Sequence, residues 1–341
     1  MKQLLLFSTF IFGTLLSNSG FSQTVYKVDE QRIYSWDNSI PDWQHDNTWQ
    51  FNYNNGGNKE TNLLVLAVPS LEEQFQFKKT YNANNNITLI VSQFWNNGLM
   101  EWQDTSQVKY DYDGANNLIS ETTQVYVSME WQDSSQIEYE YDGANNQIRE
   151  TTLYYDPGTM TFVETFSSTQ VLYDYLGADV TKQTDQSWIT GTGWFTDEIF
   201  EVTYASAGMP SQTIDSTWNS SSNMWEIERG TPTYNMGLIT KVVFEISDGA
   251  GGWDFNGQTL IEYSGTLVTL ITEQDVNGVN EDQEENIYDG NGNLNANILR
   301  SWNLVTMDWD SYYKVEKDYS VAVPFSLSSE SFNKENFKVY P

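Results

Sequence analysis

The stretch Asp289 to Asn293 reads DGNGN, which puts the oxygen donors of Asp289, Asn291 and Asn293 at alternate residues. A loop wraps a calcium ion with that spacing. Leu294 stands where an EF-hand needs Gly, and Arg300 where it needs a bidentate Glu, so this is not an EF-hand. Asp275 to Glu285, DVNGVNEDQEE, is a second acidic loop of the same character, with Asp275 and Asn277 as its first donors. Calcium is the one cofactor these residues suggest. The alternative is two ordinary Asn-Gly turns, one of them followed by a solvated acidic run.

Trp102 and Trp131 stand two residues before Asp104 and Asp133. An indole beside a carboxylate is a surface on which a sugar ring can stack, and its repetition suits a multivalent ligand. Duplication alone would also produce it. Acid–base and nucleophilic catalysis usually recruit His or Cys. The chain has one His, His45 in DWQHDNTW, and no Cys. It shows no G-x-S-x-G elbow, P-loop or dinucleotide fingerprint. Carboxylate pairs can hydrolyse glycosides, yet among 47 acidic residues no pair stands out. Glu121 and Glu150 share the parity of Ile119 and Ile148, so they are expected on a packed side, bonded to a neighbouring Tyr or Thr. No catalytic residue is assigned, and the chain is read as a non-enzyme.

These residues sit in a repeat. Met100 to Thr123 and Met129 to Thr152 match at 18 of 24 positions. Before the turn, Val108, Tyr110 and Tyr112 keep their character while Lys109 and Asp111 give way to Glu138 and Glu140. Alternation of constancy and change is the period of a strand. DGANN between the two strands is turn chemistry, so each copy is a β-hairpin. A Tyr followed by Asn, Asp, Gly or small residues recurs ten times: Tyr53, Tyr81, Tyr112, Tyr141, Tyr175, Tyr204, Tyr234, Tyr263, Tyr288 and Tyr319. The intervals run from 25 to 34 residues. Trp residues mark the opposite end of many units, as in WNSSSNMW from Trp218 to Trp225. A lone hairpin cannot bury its face, whereas stacked hairpins can. The expected fold is all-β: an antiparallel meander of about ten hairpins, forming an open twisted sheet or spiral. A five-bladed β-propeller with two hairpins per blade is the alternative.

Tyr110–Thr123 and Tyr139–Thr152 resemble the YD repeat of RHS-type and teneurin shell proteins, with a partial match at Tyr288–Leu294. The resemblance implies a β-hairpin repeat. The units here are longer than typical YD units. The final residues, Phe337 to Pro341 (FKVYP), resemble the opening strand of a type IX secretion C-terminal sorting domain. That implies a surface or extracellular protein of a Bacteroidetes-type bacterium, handled by the type IX machinery, with a sorting domain continuing past Pro341.

The organisation expected is a signal peptide over 1–22, a hairpin-repeat domain over 23–320, a linker over 321–336 and the start of a sorting domain over 337–341. Lys2 and the apolar run Leu4–Leu16 form the signal, with Gly20 and Ser22 before cleavage at Gln23. The apolar run is shorter than the ~20 residues of a spanning helix, and no transmembrane segment is expected. Net charge is −31, and −32 once Lys2 leaves. Nucleic acid needs a basic footprint and is an unsuitable partner. The expected function is a secreted or cell-surface repeat protein, in adhesion or in binding an extracellular glycan or matrix component. A secreted carboxylate-dependent glycoside hydrolase and a purely structural spacer are the alternatives.

Overall fold

The structure, a computed structural model, describes residues 26–37, 42–54, 59–67 and 73–321. The expected signal peptide, the sorting-domain start and all of the linker except Val321 lie outside the described residues. Among the described residues every element is a β-strand, and all pairings are antiparallel between strands adjacent in the ring. The first strand, Tyr26–Asp37, pairs with Asp42–Tyr53 on one edge and with the last strand, Asp308–Val321, on the other. Tyr26 faces Val321 and Arg32 faces Glu316. Thr161–Val163 and Thr169–Leu176 pair with different parts of Gln147–Asp156 and share one place in the wall. Twenty-one strands thus fill twenty places of a closed barrel.

Closure corrects the expected architecture. The all-β class and the hairpins stand, but the sheet is neither an open meander or spiral nor a five-bladed propeller. An open array would leave two edges of unpaired N–H and C=O groups; pairing the first strand with the last removes both. Arg32 secures the seam, with Nη1 donating to Asp318 Oδ2 at 2.7 Å and to Glu30 Oε1 at 2.9 Å. Tyr34 donates to Glu316 across the same pair of strands at 3.1 Å.

The ten recurrent tyrosines form one rim of the barrel. Each hydroxyl donates to a backbone carbonyl in the first residues of the preceding wall strand, at 2.7–2.9 Å. Beside each tyrosine the ladder skips one residue of the next strand, a β-bulge. Asp111 faces Ser120 and Tyr112 faces Leu118, which leaves Ile119 out. Ile119 is therefore 40% exposed, not packed as its parity suggested. Where the bulge residue carries a hydroxyl, as at Thr88, Thr181 and Thr240, it donates to the carbonyl just before the tyrosine. Tyr112→Phe removes one of ten equivalent bonds. It is expected to cost about 1 kcal/mol, a melting shift of about 1–2 °C, read by thermal denaturation.

Pairing register gives the wall two faces. Along Gly193–Ser206, Phe200 and Val202 are buried on the tyrosine face while Glu201 and Thr203 are exposed on the other. Among the described residues, one cluster of buried apolar side chains, Phe200, Val202, Ile239, Val242, Phe244 and Ile261, packs on this face beneath Tyr204, Tyr234 and Tyr263. The opposite face carries ion pairs at mid-wall, among them Arg229–Glu245 at 2.6 Å.

Candidate functional site

At the rim opposite the tyrosines, aromatic residues face each other across strands. Trp36–Trp43, Trp95–Trp102, Trp188–Trp194, Trp218–Trp225 and Trp302–Trp309 meet edge to face, with centroids 5.1–5.5 Å apart. Tyr126–Trp131 and Tyr155–Phe162 occupy equivalent positions. Each pair is directly opposed in register, where cross-strand side chains come closest. Trp102 and Trp131 are thus half-buried members of a ring of pairs, two strands apart, and each is matched by its own neighbour. Asp104 accepts from Gln93 at 2.5 Å and Asp133 from Gln124 at 2.7 Å, so both flanking carboxylates point along the wall to neutral amides.

The turns beyond these pairs are apolar and open. Met100 is 75% exposed, Met129 87% and Val305 92%. The turn geometry explains the methionines. Asn96, Asp156 and Asn303 cap the turn with a side-chain oxygen, and the residue four places on closes it at φ near +55°. Met100, Met160 and Met307 hold that left-handed position, their N–H donating back at 2.8 Å.

The two calcium-like loops are turns of a common design. Asp289 Oδ1 accepts from the N–H groups of Asn291 and Asn293, and its Oδ2 from Asn293 Nδ2. Asp275 does the same with Asn277 and Val279. So does Asp113 in DGANN, with Ala115 and Asn117. Asn116, Gly278 and Gly292 take the left-handed position the turn requires. The turn needs only the leading carboxylate: Ala115 and Val279 fill alternate places with no side-chain oxygen, and Asn291 and Asn293 take part as N–H donors. The same bonds stabilise the ionised form and hold Asp113, Asp275 and Asp289 below the usual carboxylate range. The two loops sit at opposite rims. Among the described residues, no group of three or more His, Cys, Asp or Glu could hold a metal. Calcium and magnesium at equal ionic strength are expected to raise the melting temperature equally, through screening alone. A larger rise with calcium in differential scanning calorimetry would contradict this.

His45 stacks on Tyr34 at 4.9 Å, and its Nε2 lies 2.9 Å from Thr48 Oγ1 and 3.1 Å from the Asn47 carbonyl. Thr48 is only 3% exposed, so its hydroxyl is enclosed, while the His45 ring is half-buried. Glu121 accepts from the buried Tyr139 hydroxyl at 2.8 Å, the kind of bond expected for it.

The arrangement the sequence hid is a row of carboxylates on the tyrosine face. Asp185 faces Glu198, and Asp215 faces Glu228, across four adjacent strands. Burial, then Asp215, Asp185 and Asp197, push Glu198 up to about 7. Burial, then Glu228 and Asp185, push Asp215 up to about 6. Asp185 and Glu228 are raised by burial too, although Gln183 and Asn256 donate to them. One oxygen of Asp215, Oδ1, is enclosed without a donor. A second group forms around Glu273, pushed up to about 7 by burial and then by Asp282, Glu281 and Glu284. Register alone brings these acids together. A bulge that leaves out Asp197 sets which residue faces Asp185, and no local pattern in the sequence reveals it.

No protein-family model and no curated protein matches the sequence. Solved structures similar to it include a DUF3836 family protein from Bacteroides vulgatus, at 15% identity, TM-score 0.22, covering 26% of this chain and 89% of that one. A second is the Tc holotoxin pore of Photorhabdus luminescens, at 13% identity and TM-score 0.30, covering 74% and 15%. A third is a porin-like protein from Bacteroides uniformis, at 8% identity and TM-score 0.30, covering 86% and 98%.

Proposed function

We propose that this protein is a non-enzymatic binding ring of the cell exterior, acting in adhesion or in capture of an extracellular glycan or matrix component through its tryptophan rim. The observation that carries the reading is the seven-fold recurrence of opposed aromatic pairs at one rim. Many weak, equivalent contacts held on one rigid frame multiply into avidity. The wall itself does not suit lipid. A membrane barrel needs an outward apolar band about 25 Å tall. Here one face carries Arg32, Arg229 and Arg300 with acidic partners, and the other carries the carboxylate row.

A glycan array run beside immobilised matrix proteins tests the reading. Binding is expected, and Trp102→Ala with Trp131→Ala is expected to weaken it about tenfold at unchanged fold. One observation favours a second reading, carboxylate-dependent glycoside hydrolysis: Glu198 and Asp215 share a face and are both pushed toward neutrality, as a general acid is. Sugar release that stops on Glu198→Gln, with no retained binding to any array member, would establish that reading in place of the first.

A further inference from the structure

The tryptophan rim is acidic as well as aromatic. The described turn residues between its opposed aromatics include Asp37, Asp42, Glu101, Glu130, Asp156 and Asp308. Among the described residues, none of these turns contains a Lys or Arg. All the described cations stand lower on the wall or toward the tyrosine rim. Two of them nevertheless reach up onto the indoles: Arg229 lies 4.4 Å from the Trp253 ring centre, and Lys314 5.1 Å from that of Trp43. The molecule thereby displays on itself what the other rim indoles offer, a π face that takes a cation with carboxylates close by. Exposed Met100, Met129, Met160, Leu304 and Met307 add adaptable apolar contact between the pairs.

We propose that this rim docks a cationic polypeptide, whose Lys or Arg side chains stand on the half-buried tryptophans while its apolar residues lie on the exposed methionines. The proposal rests on the reading of the rim as a binding face, and names its partner class. Charge complementarity selects that partner. A neutral glycan would leave the rim carboxylates unused, an anionic membrane would be repelled by them, and a second copy would set acid against acid.

The test uses the mature chain and fluorescent oligo-lysine peptides, with and without interspersed leucines, followed by anisotropy and tryptophan quenching. One variant removes three exposed rim charges: Glu101→Gln, Glu130→Gln and Asp308→Asn. A control removes three exposed charges near the tyrosine rim: Asp111→Asn, Glu138→Gln and Asp174→Asn. The rim variant is expected to weaken binding about tenfold, since three partly screened charges sum to about 1.4 kcal/mol. The control is expected to change it less than about twofold. Leucine-containing peptides are expected to bind more tightly than plain oligo-lysine. Equal losses in both variants would overturn the proposal, because bulk net charge would then explain the binding. So would rim-dependent binding to zwitterionic vesicles, or self-association lost in the rim variant. Glycan binding without peptide binding would overturn the partner class and leave the binding ring standing. No binding to peptide, glycan or matrix protein would overturn both.

Discussion

Deleting residues 113–141 should leave a folded, monomeric protein, whereas deleting the first strand should not. The deleted block is 29 residues, one full unit, and it joins Tyr112 to Asp142 so that DGANN still follows a tyrosine. Two strands leave, and eighteen places remain. Every new neighbour then meets the chemistry it met before, because Met129–Thr152 nearly repeats Met100–Thr123. Removing everything before Asp42 leaves nineteen places. Asp42–Tyr53 and Asp308–Val321 each run antiparallel to Tyr26–Asp37, so they run parallel to each other. A ring of antiparallel pairs needs an even number of strands, and the truncated chain keeps two long open edges. The full-unit deletion is expected to melt cooperatively within a few degrees of the parent, at about ±5 °C. The truncation is expected to aggregate through its edges and to lose cooperative melting. Size-exclusion chromatography with calorimetry distinguishes the two; a monomeric, cooperatively melting truncation would mean the ring is not closed in solution.

Acidification should stabilise the protein before it destabilises it. Asp185, Glu198, Asp215, Glu228 and Glu273 have folded-state values raised above the ordinary carboxylate range by burial and by one another. A group whose value rises on folding binds more proton folded than unfolded, so stability climbs as pH falls through the folded value. The turn-capping Asp113, Asp142, Asp248, Asp275 and Asp289 are shifted the other way. Their contribution is present above the unfolded value and is lost as pH falls through the lower folded one. Stability should therefore peak near pH 5, at about the point where the first set is protonated and the second is not. Glu198→Gln separates this from general relief of negative charge. It should add about 1 kcal/mol at pH ~8, a figure reduced from the full shift because solvent reaches the group, and nothing at pH ~5. Urea titrations at both values provide the measurement; a variant less stable than the parent at pH ~8 would show that the row is not strained.

The local structure was legible in the sequence because its signals are local. All ten recurrent tyrosines form one rim, and the opposed tryptophans stand at the other, as their spacing indicated. The turn residues also behaved as their chemistry requires, down to Asn116 at φ +68°. The parity reading failed at Ile119 because a bulge removes one residue from the count, and strand periodicity assumes none is removed. Closure was not legible, since nothing near Arg32 announces a partner 286 residues away at Asp318. The carboxylate row failed for the same reason: Asp185 and Glu198 become neighbours only once the register between their strands is known. At the calcium-like spacing of Asp289, Asn291 and Asn293, the turn itself uses the Asp289 carboxylate as acceptor of the two N–H groups.

Closure by the first and last strands also sets an order in time. A chain made or exported from its N-terminus presents Tyr26–Asp37 first, yet one edge of that strand has no partner until Val321 follows. For nearly the whole of synthesis the nascent sheet grows with an open side. The early edge is armed for that wait: Lys27, Asp29, Glu30 and Arg32 place four charges within six residues, the composition with which edge strands resist pairing with strangers. When the last strand arrives, Asp318, Lys317 and Glu316 meet Glu30, Gln31 and Arg32 in register, and Arg32 gains ion pairs with Asp318 and Glu316. Arg32 thus both guards the growing chain and recognises its completion, and a ribosome or translocon releasing the chain early would release a protein still guarded but unsealed.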